Sequence, residues 1–369
     1  MKILYLITDG ELGGAQKYVL DLAKNFGGII ACSKNNAWLK QESEQNQIDF
    51  QTLKFLKRPI LVVHDILAFF EILFLIKKIR PDILHLNSSK AGFLGSIAGW
   101  LCGVKVLSTA HGFVFNEPHA KSVKKILFLL EKFASIFRDH IITVSEFEKN
   151  QAIKARLIAP EKISAIHYGV KDINFLNKNE ARWKLKLPLD KFIIGTIANF
   201  YHTKGLDVLI DSAILNNNNL IFAVIGDGPE RKKIVGSITR NNLINKFLLL
   251  GSLKNAASYI PAFDMFVLPS RKEGLPYVLI EALKGSVPIV ATNVGGIPEL
   301  IGQAGIMVES DNPQELADAI SKLMDDTEEL QRLSKIGRDQ SQKFSLETML
   351  HETAQVYEKM LVSVPQRLG

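Results

Sequence analysis

Cysteine is almost missing from this chain of 369 residues: there are two, Cys32 and Cys102. A disulfide framework is excluded, and neither thiol has the CxxC or Cys/His spacing of a zinc site. Both read as small core hydrophobes in a reducing compartment. No G-x-G-x-x-G is present, so the dinucleotide fingerprint is missing and a dehydrogenase is disfavoured. No basic stretch is interleaved with aromatics, which speaks against nucleic acid as a partner. Long uncharged apolar runs are missing too. The nearest one, residues 60–76, holds His64, Asp65 and Glu71 within 17 residues. That is short and charged for a membrane span. The opening MKILYLITDG is expected not to be a signal peptide, because its apolar run is short and leads directly into a glycine loop. Low-complexity segments and short-period repeats are not visible.

What is present fits a globular chain: 47% apolar and 22% charged residues. At roughly 100–200 residues per domain, the length suggests two domains or three. The net charge is +7 and it is unevenly distributed. Residues 1–172 carry 23 Lys+Arg against 16 Asp+Glu, while the remainder carries 22 of each. All the excess positive charge therefore lies in the first half. It asks for an anionic partner there: nucleic acid, a membrane surface or a phosphorylated substrate.

Strands and helices alternate. Residues 2–8 form a short apolar, β-rich run, followed by Gly10, Gly13 and Gly14 and a helical pattern over 16–25. Further buried strands are expected at 82–86, 105–109 and 140–144, with helices at 60–80, 91–101 and 122–137 between them. A second series has strands at 192–198, 220–225, 247–251, 265–269, 288–291 and 305–308, and a last helix at 346–362. The alternation implies an α/β fold with mainly parallel sheets in two similar halves. The boundary is expected within 170–190, where polar residues interrupt the pattern.

Three loops between a strand and a helix carry candidate chemistry. At Gly13 and Gly14, a helix N-terminus offers unpaired amides and partial positive charge to an anion or a hydroxyl; a plain tight turn is the other reading. Gly226-Asp227-Gly228-Pro229 is a weaker example of the same kind. The strongest runs from Ser270 to Ala282. There Pro276 suits the first turn of a helix. Gly274 and Leu275 offer amides to an anion. Glu273 and Glu281 stand one on the loop and one about a turn and a half along the helix. Two separated hydroxyl pairs with an anion between them match a nucleotide sugar.

These motifs, in this order, resemble the glycosyltransferases of family GT4 with the GT-B fold, along nearly the whole chain. The first half contributes Gly13-Gly14-Ala15-Gln16, Asp82 to His85, Thr109-Ala110-His111-Gly112 and Val144-Ser145. The second contributes His167 to Val170, Lys204 to Asp207, Gly226 to Pro229, Glu273 to Pro276 through Glu281-Ala282, and Gly295 to Glu299. The resemblance implies two Rossmann-like domains facing across a cleft. Residues 1–172 would bind acceptor and 173–345 donor, with a C-terminal helix, about 346–369, crossing back to the first domain. It implies that Glu273 holds the transferred sugar and Glu281 the ribose diol. Lys204 neutralises the diphosphate, aided by the Gly274 and Leu275 amides and the Gly13-Gly14 loop. Pro276, Gly226 and Gly228 complete the donor site. His111 sits by the reacting centre. Gly14, Gln16, His111 and Ser145 face the acceptor. Retention of configuration is implied, without metal or other cofactor, and the chain has no Asp-x-Asp. One departure stands out: Asn199 occupies the position where many members carry arginine, five residues before the lysine. Protonated His202 is a candidate compensation.

Other readings use the same residues. A GT-B sugar-nucleotide epimerase shares the donor site without an acceptor, a GDP-mannose-dependent mannosyltransferase differs in donor, and a non-catalytic binder releases no nucleotide. UDP-sugars are the expected donors, and a glycan or lipid-phosphate acceptor is the expected second substrate, in cell-surface polysaccharide or lipopolysaccharide synthesis. His111 could also be a satisfied strand-end histidine. His85 reads as structural and Asp207 as a cap or surface group. Lys121, Lys124 and Lys125 read as a solvated face rather than a lipid-phosphate site. Residues 60–76, flanked by Lys54, Lys57, Arg58, Lys77, Lys78 and Arg80, suit a helix lying on an anionic membrane. The expected location is therefore cytoplasmic, peripheral on the inner face of the cytoplasmic membrane.

Overall fold

The computed structural model describes residues 1–116, 120–216 and 218–362. It separates into two compact units, Met1–Tyr168 with Glu347–Gly369, and Gly169–Leu346. The division falls four residues before the expected boundary at 172. The part of the expected last helix beyond 362 lies outside the described residues.

In the first unit seven parallel strands form one sheet: β1 (Ile3–Ile7), β2 (Ile29–Ser33), β3 (Asp49–Leu53), β4 (Ile83–Leu86), β5 (Lys105–Ala110), β6 (His140–Thr143) and β7 (Ile163–Ala165). Their order is β3-β2-β1-β4-β5-β6-β7. The intervening helices are α1 (Gly14–Phe26), α2 (Ala37–Gln45), α3 (Val62–Ile79), α4 (Ser89–Leu101), α5 (Lys121–Ser135) and α6 (Glu146–Lys154). β1 is buried at every residue because strands flank it on both sides. After β3 the chain reverses its direction of travel along the sheet. Right-handed crossovers then carry α1 and α2 to one face and α3, α4 and α5 to the other. There α4 packs between α3 and α5.

The sequence reading missed β2, α2, β3, α6 and β7. β3 is an edge strand with Asp49, Gln51 and Thr52 exposed, so it shows no apolar run. β7 has three residues, and α2 and α6 are mostly polar. Helices α1 and α4 begin two residues earlier than expected, because glycine and serine in their first turns carry no apolar periodicity.

The second unit holds β8 (Phe192–Ile197), β9 (Leu220–Ile225), β10 (Phe247–Gly251), β11 (Met265–Leu268), β12 (Ile289–Thr292) and β13 (Gly305–Val308), in the parallel order β10-β9-β8-β11-β12-β13. All six strands were expected, each within one residue at either end. Its helices are α7 (Lys178–Leu185), α8 (Leu206–Leu215), α9 (Arg231–Arg240), α10 (Tyr277–Lys284), α11 (Ile297–Ile301), α12 (Pro313–Met324) and α13 (Thr327–Ser341). Its core is built on Phe222, Val224, Met265 and Val267 from the strands and Leu209, Ile234 and Ile320 from the helices.

The last helix, α14 (Leu346–Val362), is anchored in the first unit by Tyr357. The Tyr357 ring meets Phe26 at 5.3 Å and His85 at 5.7 Å. His85 is fully buried, with Nδ1 2.7 Å from Tyr357 Oη and Nε2 2.7 Å from Thr109 Oγ1. Both ring nitrogens are satisfied, so His85 is structural, as its sequence position suggested.

Candidate functional site

In the second unit β8 lies between β9 and β11, so the winding reverses beside β8. Open α/β sheets take ligands outside the carboxyl ends of their strands at such a point. The loop after β8 carries Asn199 and Lys204, and the loop after β11 carries Glu273. Lys204 Nζ donates to Glu273 Oε1 at 2.7 Å. The Ser270 hydroxyl donates to the same oxygen at 2.6 Å. The Glu273 side chain is 8% exposed and that of Lys204 27%. One carboxylate oxygen is thus held twice, while Oε2 has no hydrogen-bond partner among the described residues. Lys204 keeps two further N–H donors.

Arg271 locks these two loops together. Its amide donates to the Thr203 carbonyl at 2.8 Å. Its guanidinium grips Asp207 through two bonds of 2.7 and 2.9 Å, the His202 carbonyl at 2.7 Å and Asp311 at 2.5 Å. Burial pushes the Asp207 carboxyl up, but hydrogen bonding and charge from Arg271 outweigh it and hold the carboxyl below its ordinary value. Asp207 is therefore half of a loop-fixing ion pair, neither a plain cap nor a free surface group. His202 Nδ1 lies 3.3 Å from the guanidinium. Asn199 is exposed.

Two more loops close on the same edge. The Gly296 amide donates to the Gly274 carbonyl at 2.9 Å. A Cβ on Gly295 (φ +57°) would stand 1.8 Å from the Glu273 carbonyl oxygen. A Cβ on Gly226 would stand 2.0 Å from the Ala198 carbonyl oxygen, and one on Gly228 2.7 Å from the Phe200 amide nitrogen. Gly226 and Gly228 thus pack closely against the β8 loop, and Gly295 against the β11 loop. The amides of Gly274 and Leu275 have no acceptor among the described residues. Leu275 and Pro276 are buried, and Pro276 is the cap before α10, one residue outside the first turn where it was expected. Glu281 is the fifth residue of α10 and half-buried.

The first unit has its own switch point, with β1 between β2 and β4. Gly13 precedes α1 and Gly14 opens it. Gln16 folds back so that Nε2 donates to the Asp9 carbonyl at 2.7 Å, bracing the loop. His111 follows β5 and is half-buried. Its Nδ1 is 2.5 Å from Tyr168 Oη and its Nε2 3.3 Å from Asn87 Oδ1. The Tyr168 ring stacks on it, and Tyr18 meets it edge-on at 5.1 Å. Burial pushes this imidazole down to about 3. It is therefore a neutral hydrogen-bonding ring, not an acid or a cation, near neutrality. Ser145 differs from expectation. It is fully buried, and its hydroxyl accepts from the Glu148 amide at 3.3 Å as the cap of α6. Its task is structural and leaves no open hydroxyl for an acceptor.

His85 and His140 share the depressed basicity of His111, pushed by burial to about 3 and about 4. The unfolded chain takes up these protons near pH 6.5, the folded chain only far lower. The contribution to stability is full above about 6.5 and is lost as pH falls towards 4. Each histidine adds a slope of about 1.4 kcal/mol per pH unit in that window. Urea unfolding of the first unit, followed at pH 7, 6 and 5, is expected to show a falling midpoint. A constant midpoint would mean that these rings stay solvated.

Sequence reasoning gave no role to Arg271, Ser270 or Tyr168, though they lie in motifs it singled out, and did not find Asn87. The available signal for the first was an arginine two residues from Glu273 and an aspartate three residues from Lys204, opposite charges in two loops already singled out. Cys32 is buried and its thiol is pushed up to about 12, chiefly by burial, as suits a core position. Among the described residues no three His, Cys, Asp or Glu side chains gather as a metal centre.

Two doubly wound parallel sheets, the second with a Lys–Glu pair at its switch point, define the Rossmann-like class of α/β protein. The family models agree in detail. Residues 12–172 match "Glycosyltransferase Family 4" and residues 177–340 match "Glycosyl transferases group 1". The chain is 32% identical over 282 residues, 73% of each protein, to an Escherichia coli UDP-Gal:alpha-D-GlcNAc-diphosphoundecaprenol alpha-1,3-galactosyltransferase. It is 28% identical to the capsular polysaccharide biosynthesis glycosyltransferase CapM of Staphylococcus aureus, over 83% of this chain and 84% of CapM. Among solved structures, Anabaena HepE in complex with UDP-glucose superimposes with a TM-score of 0.86 at 22% identity, covering 97% of this chain and all of HepE. The chain belongs to the family 4 glycosyltransferases, and its fold is GT-B.

Proposed function

We propose that this glycosyltransferase moves a hexose or N-acetylhexosamine from a UDP-sugar to a glycan or lipid-linked acceptor, with retention of configuration, in cell-surface polysaccharide synthesis. The observation that carries this reading is the Lys204–Glu273–Ser270 cluster at the switch point of the second sheet. Glu273 Oε2 is available to sugar hydroxyls, and Glu281 is assigned to the ribose diol. The remaining Lys204 donors and the Gly274 and Leu275 amides meet the diphosphate. In the transfer, the bond from the anomeric carbon to the β-phosphate oxygen breaks and a bond to the acceptor oxygen forms on the same side. The acceptor proton passes to the departing phosphate oxygen. Charge grows on the diphosphate, and aimed cations and amides stabilise it best there. These groups supply the charge a metal would otherwise bring, so the reading needs neither metal nor other cofactor. Gly14, Gln16 and His111 are assigned to the acceptor side, with His111 as a neutral hydrogen-bonding group. The Escherichia coli relative's UDP-Gal donor and diphosphoundecaprenol acceptor support a UDP-sugar donor and a lipid-diphosphate acceptor, and work at the inner face of the cytoplasmic membrane is part of the same proposal.

Calorimetry with UDP-Glc, UDP-Gal, UDP-GlcNAc, UDP-GalNAc and GDP-Man tests the donor. At least one UDP-sugar is expected to bind at least tenfold more tightly than GDP-Man. Preference for GDP-Man would overturn the base assignment. Turnover of the preferred donor is expected to survive EDTA.

A further inference from the structure

His111 follows β5 at the carboxyl edge of the first sheet, and groups from two other segments meet its ring nitrogens. Tyr168 Oη lies 2.5 Å from Nδ1 and Asn87 Oδ1 3.3 Å from Nε2. The ring is neutral near pH 7, because burial holds its basicity down to about 3. A neutral imidazole carries one proton. The nitrogen that holds it offers a donor, and the other offers a lone pair. The chemistry His111 can do therefore depends on its tautomer, which its neighbours set.

Asn87 is fully buried just past β4. Its backbone amide donates to the Leu6 carbonyl at 2.9 Å, and its side-chain Nδ2 donates to the His85 carbonyl at 3.0 Å. Turning the side-chain amide over would set Oδ1 against that carbonyl, two acceptors face to face in a buried place. Oδ1 is thus directed at His111 Nε2, and an oxygen that can only accept asks for the proton on that nitrogen. Nδ1 is then the bare nitrogen, and the Tyr168 hydroxyl donates to it. The other tautomer would leave the Nε2 lone pair facing Oδ1. The two contacts also differ in length. Nδ1 is held closely, whereas Nε2–H is held loosely at 3.3 Å, so an incoming oxygen can take the place of Oδ1.

The plane of the ring is set as well. The Tyr168 ring stacks on it at 23°, and the Tyr18 ring meets it edge-on at 73°. Tyr18 is fully buried, with its hydroxyl 3.3 Å from Thr109 Oγ1. All of these residues belong to the first unit.

We propose that Asn87 and Tyr168 are positioning residues that hold His111 as its Nε2–H tautomer, so that the ring presents a hydrogen-bond donor to a substrate oxygen. The group met at Nε2 must accept: a hydroxyl or an amide carbonyl fits, and an ammonium does not. The proposal rests on the functional reading for the substrate that approaches the ring, and on the geometry alone for the tautomer.

Nitrogen NMR of the full chain with isotope-labelled histidine reads the tautomer directly, and loss of signals in His111→Gln identifies that ring among the eight histidines. At pH 7 the protein is expected to show a protonated Nε2 and a bare Nδ1. Tyr168→Phe keeps the stacked ring and removes only the hydroxyl. It is expected to bring in the Nδ1–H form and to lower kcat/KM about five- to tenfold, the worth of one hydrogen bond. Asn87→Leu is expected to shift the tautomer in the same direction, and Tyr168→Phe serves alone if that buried change misfolds the chain. Tyr18→Phe is the control: it takes a hydroxyl from the other aromatic neighbour, touches neither nitrogen, and is expected to leave the tautomer as it was. An Nδ1–H ring in the unaltered protein overturns the proposal. So does a tautomer that Tyr168→Phe leaves unmoved, or one that moves with kcat/KM unchanged. The spectra need no substrate. A chain that turns over no UDP-sugar therefore fails the functional reading, while the tautomer still decides this proposal.

Discussion

Lys204→Ala is expected to lower transferase turnover by a factor of about 10²–10³ while changing stability by no more than about 1 kcal/mol. The first figure is the usual cost of removing one aimed donor from a site where negative charge develops. The second follows from geometry. The Lys204–Glu273 pair is 2.7 Å long, a quarter of the lysine side chain is in solvent, and the Ser270 hydroxyl still holds the same carboxylate oxygen at 2.6 Å when the ammonium is removed. Glu273→Ala is expected to cause a comparable loss of turnover, because it removes the oxygen aimed at the sugar and leaves Lys204 without its anchor. The two losses should not add, since each variant disturbs the partner of the other. Steady-state kinetics with the preferred UDP-sugar, alongside thermal melts, provide the check. Full activity in both single variants would remove these residues from the site.

Gly295→Ala is expected to reduce kcat/KM about 100-fold with no change to any polar group. At φ +57° an alanine carries strain of about 1–2 kcal/mol. Its Cβ would lie 1.8 Å from the Glu273 carbonyl oxygen, so that backbone must retreat by about 1.2 Å to reach the 3.0 Å that real contacts respect. A displacement of about 1 Å at a positioned group costs on the order of 10² in rate. Gly27→Ala is the control. Gly27 also has a positive φ, +69°, but nothing lies within 4 Å of its Cβ, and it belongs to the first unit. That variant is expected to lose stability and keep its kcat/KM. Equal kinetic losses in both variants would show that backbone strain in general, not the position of Glu273, is being measured.

The six strands of the second unit were legible because each is a short apolar run bounded by turn residues. β3 was not, because an edge strand with Asp49, Gln51 and Thr52 in solvent carries no such run. Glu273 was legible through local loop chemistry, a strand end, a glycine turn and a helix start within a dozen residues, whereas Lys204 and His111 were assigned only through the family resemblance. Ser145 shows the limit of that signal. The same strand-to-helix position that marks a binding hydroxyl also marks a helix cap, and only its bond to the Glu148 amide separates the two.

The sequence by itself therefore determined the alternation of elements, the order of the motifs and, through that order, the family. Periodicity and turn chemistry act over a few residues and can be read along the chain. The tertiary structure alone decided which groups meet. Lys204 and Glu273 are 69 residues apart, Asp207 and Arg271 are 64 apart, and His85 and Tyr357 are 272 apart. Those pairings depend on strand order, which sets β8 beside β11 and α14 against β4's histidine, and on which side of α3 and α5 faces the sheet. Both are settled by burial of the whole chain at once, a quantity no local stretch of residues carries.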